Sequence, residues 1–240
     1  MAGEQYEARE YRAVMEPGGL TCCSVVLGES DLYVCTRRDA SARATESLAA
    51  HREELESYLA KHLDYGTSFR PVPVDRRAPA IVRSMAEAAE LFDVGPMAAV
   101  AGAIAQFVGT DLLEVSSEVI VENGGDIFLA GGGERNVRIF SGAGFPPFDI
   151  LVEDTPQGIG LCTSSATVGP SISLGAADAV TVLATTATLA DAAATAIGNR
   201  VLRQGDIEKG LESASEMDGV HGAVIVLQGS IGAWGELQLS

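Results

Sequence analysis

Hydrophobic and polar positions along this chain change period several times, and each change marks an element. Over residues 21–37 two β-rich runs flank Gly28-Glu29-Ser30-Asp31, which predicts a hairpin, and residues 8–16 read as a further strand joined to it by the turn at Pro17-Gly18-Gly19. From Ser41 to His62 the period lengthens. Leu48, His51, Leu55, Tyr58, Leu59 and His62 recur at steps of three and four, which predicts a helix with its charges on the other face. His51 and His62 then belong to the helix surface or its boundary. Pro71, Pro73 and Pro79 mark an irregular connection to a short amphipathic helix over 80–92, with Ile81, Met85, Ala88, Ala89 and Phe92 as its apolar positions.

The next segment, GPMAAVAGAIAQFVGT, runs for sixteen residues without a charge. Pro96 suits a first helical turn, where its missing N–H costs nothing. A helix so poor in bulk and polar face belongs at the centre of the fold, closely approached by backbone or ligand. Residues 117–121 and 127–129 read as strands about the turn Glu122-Asn123-Gly124-Gly125-Asp126, since Asn-Gly tolerates positive φ. Further strands are predicted at 136–140, 148–152, 158–162 and 178–184. An Ala-rich helix follows at 188–202, another helix at 207–217, and a final buried strand at 221–227. No repeat or linker divides the chain, so one domain over 1–240 is expected, with room for two lobes. The fold class is α+β with hairpin-compatible connections and a largely antiparallel sheet.

Composition narrows the function classes. Hydrophobic residues make up 47% and charged residues 20%, which excludes a disordered polyampholyte. Sixteen basic against thirty-three acidic side chains give a net charge of -17, the wrong sign for nonspecific nucleic-acid binding or for an anionic membrane surface. A small anionic ligand remains compatible, because backbone N–H groups or one metal ion override the global field locally. The opening MAGEQYEAREYRAVM lacks the apolar run of a secretory signal, and no tract has the length and apolarity of a membrane span, so a soluble cytoplasmic protein is expected. Cys22, Cys23, Cys35 and Cys162 show no CxxC spacing and are expected as free buried thiols. A homodimer is the default assembly only because closed two-fold oligomers are common.

Three segments carry candidate chemistry. In TTATLADAAATAIGN, Asp191 and Thr195 are four residues apart on one helix face, where a carboxylate and a hydroxyl can share a hard cation such as magnesium. The same stretch contains Thr188-x-x-Asp191, a capping box with Asp for the usual Glu or Gln, and Thr195 could return its hydroxyl to an earlier carbonyl. In ENGGD, Gly124 and Gly125 let backbone approach a ligand, and Glu122 and Asp126 could orient a ribose or an amine; the segment is equally an ordinary tight turn. Over 161–171, LCTSSATVGPS, hydroxyls including Ser164, Ser165 and Thr167 could bind phosphates or helix ends. GxSxG and GxGxxG before a helix are both absent, against a serine hydrolase and a Rossmann site.

Together VGPMAAVAGAIAQFVG (94–109), EVIVENGGDIFLAG (118–131), CTSSATVGPSISLGAADAV (162–180) and LADAAATAIGN (189–199) resemble the UPF0280 family, also called DUF375. That family is similar to the ApbE proteins, magnesium-dependent transferases that move FMN from FAD to a Thr or Ser of an acceptor protein. The resemblance implies an ApbE-like mixed fold with buried Ala/Gly-rich helices. It implies a flavin site at Gly124, Gly125 and Asp126, with the hydroxyls of Ser164, Ser165 and Thr167 beside it, and a metal held by Asp191, Thr195 and the Ala98 carbonyl. FAD and Mg2+ are the implied cofactors. Two features depart from the ApbE pattern: Ala99 stands where ApbE enzymes carry a lysine, and Pro170 stands near the expected place of a histidine. Non-catalytic flavin or nucleotide binding, or another enzyme activity on an unidentified substrate, is therefore the alternative.

Overall fold

The computed structural model describes residues 12, 18–141, 145–166 and 175–239. The predicted strand at 8–16 lies outside these apart from Arg12, and so do Thr167 and Pro170. In chain order the elements are strands β1 (Thr21–Leu27) and β2 (Ser30–Thr36), helices α1 (Ser41–Leu59), α2 (Leu63–Thr67) and α3 (Ala80–Phe92), a 3-10 turn at Pro96–Ala99, and α4 (Val100–Leu112). Strands β3 (Val119–Asn123), β4 (Asp126–Ala130), β5 (Glu134–Ile139), β6 (Phe148–Glu153), β7 (Ile159–Ser164) and β8 (Ala179–Ala184) follow. The chain continues through α5 (Ala187–Gly198), α6 (Ile207–Ser215), β9 (Val220–Leu227), β10 (Ser230–Gly235) and β11 (Gln238–Leu239).

Eight strands form one antiparallel sheet in the order β1-β2-β3-β4-β7-β8-β9-β10, and β11-β6-β5 form a second. The central strands are apolar on both faces because both faces are covered. In β4, Phe128 and Ala130 join the core beneath the helices, while Ile127 and Leu129 face the second sheet with Val137, Ile139, Ile150 and Val152. β8 and β9 divide in the same way, Val182 and Ile225 to one side and Leu183 and Val224 to the other. A strand's period of two thus produces three layers: helices, large sheet, small sheet. Arg135 of β5 staples the two sheets, pairing with Glu118 beside β3 and with Asp154, whose carboxylate also accepts the Gly132 and Gly133 N–H groups.

The uncharged segment is central, as its composition requires. α4 packs between α1, α3 and α5 and lies on β3 and β4, with Gly102, Ala103, Ala105, Val108 and Gly109 buried. Gly109 is the close point: a Cβ there would lie 2.1 Å from Phe128 Cδ1. The helix also starts later than its sequence suggests, because Pro96–Ala99 form a 3-10 turn before it.

Two expectations need correction here. Cys22 and Cys35 are not free thiols but form a disulfide, while Cys23 and Cys162 are free. The two cysteines are directly opposed in the β1–β2 register, a proximity that a separation of 13 residues does not reveal. Nor is 220–227 the final strand, since β10 pairs along β9 and β11 adds to β6. Gly232 and Gly235 break the pattern of β10, and its exposed positions hide it from periodicity. Among the described residues no single helix is long and apolar enough to cross a membrane.

Gly109→Ala is expected to destabilise the fold by about 1–3 kcal/mol through overpacking. A second substitution, Phe128→Leu, should restore part of that loss, and urea denaturation of the two variants checks both statements. Peptide mapping without reductant should recover Cys22 linked to Cys35, with Cys23 and Cys162 open to alkylation.

Candidate functional site

The first amides of any helix lack partners within it. At the start of α4 those partners come from another helix. Asp191, in the second turn of α5, accepts the Gly102 N–H at 2.8 Å and also bonds the Ala101 N–H. Contact this close depends on Gly102, where a Cβ would lie 2.2 Å from the Ala187 carbonyl oxygen and 2.7 Å from Asp191 Cβ. The β3–β4 turn approaches from a third side, and Asn123 Nδ2 donates to the Ala101 carbonyl at 3.1 Å. Residues 101–102 are therefore gripped by α5 through their N–H groups and by the turn through a C=O. Farther along α4, Gln106 Oε1 accepts the Ala187 N–H at 2.8 Å, tying the start of α5 back to α4.

The capping-box reading of Thr188 and Asp191 is overturned. Thr186 is the N-cap of α5, its side chain accepting the Leu189 N–H at 3.2 Å, because the helix begins at Ala187. Asp191 lies two residues too far along to serve as the acid of that cap and bonds α4 instead. Thr188 is buried with its hydroxyl unpartnered among the described residues. Thr195 is partly exposed and makes no bond to an earlier carbonyl of the helix among those residues.

Asp126 opens β4 on the same face as Phe128, toward the helices, paired in register with Cys162 of β7. Burial first, and then the neighbouring Asp191 charge, push its carboxyl well above the usual carboxylate range; bonds from the Cys162 thiol and the Thr163 backbone oppose this. Burial also raises Asp191, to about 7, against the lowering effect of the Gly102 and Ala101 amides. The Cys162 thiol is pushed up by burial and by the same two carboxylates, so it is no nucleophile at neutral pH; it lies 3.3 Å from the Ala187 carbonyl. Two acidic groups thus share a low-dielectric corner of the fold, an environment that a cation would relieve.

The turn has positive φ at Gly124 (+70°) and Gly125 (+105°), a backbone that side chains resist. Thr163 N–H donates to the Gly125 carbonyl at 3.2 Å, joining β7 to the turn. Ser165 is committed elsewhere, donating to the Asp178 carbonyl at 2.6 Å. Ser164 ends β7 near Gly198 at the C-terminal end of α5. Glu122 does not share a site with Asp126. It alternates to the opposite face of β3, opposite Tyr33 of β2, and holds the Gly125 N–H through Oε1 at 3.0 Å. Ala98 belongs to the 3-10 turn that packs against α5, and Ala99 is fully buried.

The structure therefore brings the turn that carries Gly124, Gly125 and Asp126 and the Asp191 of α5 together at the start of α4, with Ala98 in the 3-10 turn before it; Thr195 lies one helical turn beyond Asp191 and Ser164 near the end of α5. Sequence reasoning missed Gly102, Gln106, Asn123 as a tether, and Thr186. Only Gln106 had a signal, as the single long polar side chain in residues 94–109. No cluster of three His, Cys, Asp or Glu residues suited to a metal occurs among the described residues. The expected set contains one such residue, Asp191, with a hydroxyl and a carbonyl completing it.

A family model described as AbpE bacteria matches residues 12–234 of the chain. UPF0280 protein MJ1526 of Methanocaldococcus jannaschii is 41% identical over 202 residues, spanning 81% of this chain and 82% of that protein. A UPF0280 protein of Methanothrix thermoacetophila is 39% identical over 199 residues, spanning 81% and 83% respectively. Among solved structures, the flavin transferase ApbE from Vibrio cholerae superposes with a TM-score of 0.62 at 13% identity, covering 90% of this chain and 97% of that one. The ApbE protein of Thermotoga maritima gives 0.62 at 13% identity, covering 89% and 96%. At these identities the likeness is one of fold.

Because Asp191 is raised from 3.8 to about 7 in the fold, the cation-free folded protein holds a proton that the unfolded chain releases. That contribution to stability is complete below about pH 4 and is lost as the pH rises through about 7. In EDTA, the urea midpoint should therefore fall across this window, and Asp191→Asn should flatten the fall. Gly102→Ala should lower the midpoint at every pH, since its added methyl meets the Ala187 carbonyl.

Proposed function

The chain belongs to the AbpE bacteria family and to the UPF0280 proteins, and from that premise we propose that it binds FAD with Mg2+ around the start of α4 and transfers FMN to a hydroxyl of an acceptor protein. The observation that carries the reading is the convergence of the β3–β4 turn, the 3-10 turn before α4, and α5 on one corner holding two raised carboxyl groups, Asp126 and Asp191. The donor chemistry suits magnesium: a carboxylate at Asp191, a hydroxyl at Thr195 and a backbone carbonyl at Ala98 are all hard oxygen ligands. Bound there, Mg2+ would neutralise charge on the FAD pyrophosphate.

The chain's own groups position and desolvate. The Gly124-Gly125 turn would offer side-chain-free backbone to the flavin nucleotide, with the Gly125 N–H and carbonyl held by Glu122 and Thr163 and Asp126 next in the chain. Asp191 holds the Ala101–Gly102 amides, so the 3-10 turn carrying Ala98 keeps its place against α5. In the reaction an acceptor oxygen would bond to the FMN phosphorus of FAD, the bond from that phosphorus to the bridging oxygen would break with its electron pair leaving on AMP, and the acceptor hydroxyl proton would pass to solvent. Catalysis of this kind rests on placement and charge compensation.

A second reading, flavin or nucleotide binding without transfer, is favoured by Ala99. This residue stands where the resemblance expects a lysine, and it is a buried methyl group that brings no charge to a ligand. One experiment separates the two. Titration with FAD in Mg2+ and in EDTA, followed by flavin fluorescence and by chromatography of FMN and AMP, should give magnesium-dependent saturation with AMP release if transfer occurs. Saturation without AMP selects binding alone, and no saturation in either condition rejects both. Asp191→Ala should abolish the magnesium dependence; its persistence in that variant would remove Asp191 from the metal site.

A further inference from the structure

The face of the large sheet away from the helices carries a buried ionic cluster that meets the site described above through one bond, from the Gly125 N–H to Glu122. Arg12 lies over β2 and β3 with its side chain 10% exposed. Its Nε donates to Glu122 Oε2 at 2.7 Å and its Nη2 stands 2.6 Å from the same oxygen. Nη1 donates to Asp31 Oδ1 at 2.7 Å, and Nη2 to the Asp31 carbonyl, also at 2.7 Å. The guanidinium carbon sits 5.5 Å from the centre of the Tyr33 ring. Glu122 itself is 1% exposed and uses its other oxygen, Oε1, to hold the Gly125 N–H.

We propose that Arg12 is a positioning residue for the Gly124-Gly125-Asp126 turn, acting through Glu122 from the opposite face of the sheet. Two of the bonds of this carboxylate fall on different oxygens: Oε2 receives the guanidinium and Oε1 holds the turn. Arginine suits this position because its planar fork meets Glu122 and Asp31 together, with one face left for Tyr33. A buried carboxylate stripped of a cationic partner is strongly destabilised and relaxes by taking a proton or by swinging toward water. Either response weakens the Glu122–Gly125 bond. Once that bond is lost the turn keeps the Thr163–Gly125 bond and the Asn123–Asp126 pairing, and its two glycines, without side chains, can shift between these anchors. Asp126 follows directly in the chain, and its carboxyl therefore depends on a residue more than a hundred positions earlier on the other side of the sheet.

The positioning role follows from the geometry alone; its consequence for flavin rests on the function proposed above. The test accordingly has two readouts on the full chain, amide hydrogen exchange and FAD binding in Mg2+. Arg12→Gln should speed exchange over residues 122–126 by about tenfold or more while leaving β8 and β9 as slow as in the parent, because the opening is local. Arg12→Lys keeps the charge and loses the fork, and should fall between the two. With Asp31→Asn added wherever Gln replaces Arg12, so that the second acid the guanidinium meets is neutral too, the double variant Arg12→Gln/Glu122→Gln leaves neither carboxylate facing a lost guanidinium and provides a folded comparison if the single variant fails to fold. It should exchange as fast over 122–126 as Glu122→Gln alone. Parental exchange over 122–126 in the double variant, or equal acceleration throughout the molecule in Arg12→Gln, would overturn the proposal. If the parent binds FAD, Arg12→Gln should weaken that binding by about tenfold, with Arg12→Lys recovering part of the loss. A parent that binds no FAD rejects the flavin reading, and the exchange results still decide the role of Arg12.

Discussion

The approach of α5 to α4 at Gly102 sets the position of everything around the candidate site. Two helices come this close only where one lacks a side chain, and the 2.2 Å from a hypothetical Cβ to the Ala187 carbonyl shows how little space remains. The same contact brings the Asp191 carboxylate onto the Ala101 and Gly102 amides, so one acid both joins the helices and satisfies a helix start. The alanines of both helices follow from this packing, since larger side chains at the interface would part them. Helix α4 is consequently central by geometry as well as by composition.

That arrangement creates an electrostatic debt in the helix layer. Asp126 comes from the sheet and Asp191 from α5; burial raises both carboxyls, and the Asp191 charge raises Asp126 further. Backbone amides ease Asp191 but do not return it to its ordinary range. Two carboxyls in such surroundings are more easily understood as a place prepared for a cation than as a source of fold stability. The function proposed above takes that cation to be magnesium.

Across the sheet the logic is reversed. Glu122, one residue from the turn and on the opposite face, is compensated by Arg12 and tied to Gly125. Acids separated by only four positions in the chain thus occupy different environments, because the two-residue turn pairs Asp126 with Asn123, which faces the side opposite to its neighbour Glu122. The β3–β4 turn is held from both sides at once, by Asn123 reaching α4 and by Glu122 reaching Arg12.

Much of the architecture was legible in the chain. Periodicity placed the β1–β2 hairpin, the helices at 41–59, 80–92, 187–198 and 207–215, and most strands of both sheets to within a few residues, because each buries a face whose repeat is written locally. The GGD turn, the uncharged helix and the Asp191/Thr195 pair were also recognisable, since unusual local composition marks all three. Partnership was not legible. Thr188-x-x-Asp191 looked like a local cap, yet Asp191 bonds a helix some ninety residues away, because the fold offers unpaired amides there and the start of α5 already has Thr186. Cys22 and Cys35 carried no motif and met through strand register. Glu122 and Asp126 looked equivalent until strand alternation set them on opposite faces, and Arg12 had no mark at all. A sequence determines which residues prefer to be buried, turned or extended; only the tertiary structure decides which distant group each polar atom meets, and that choice determines its charge and its role.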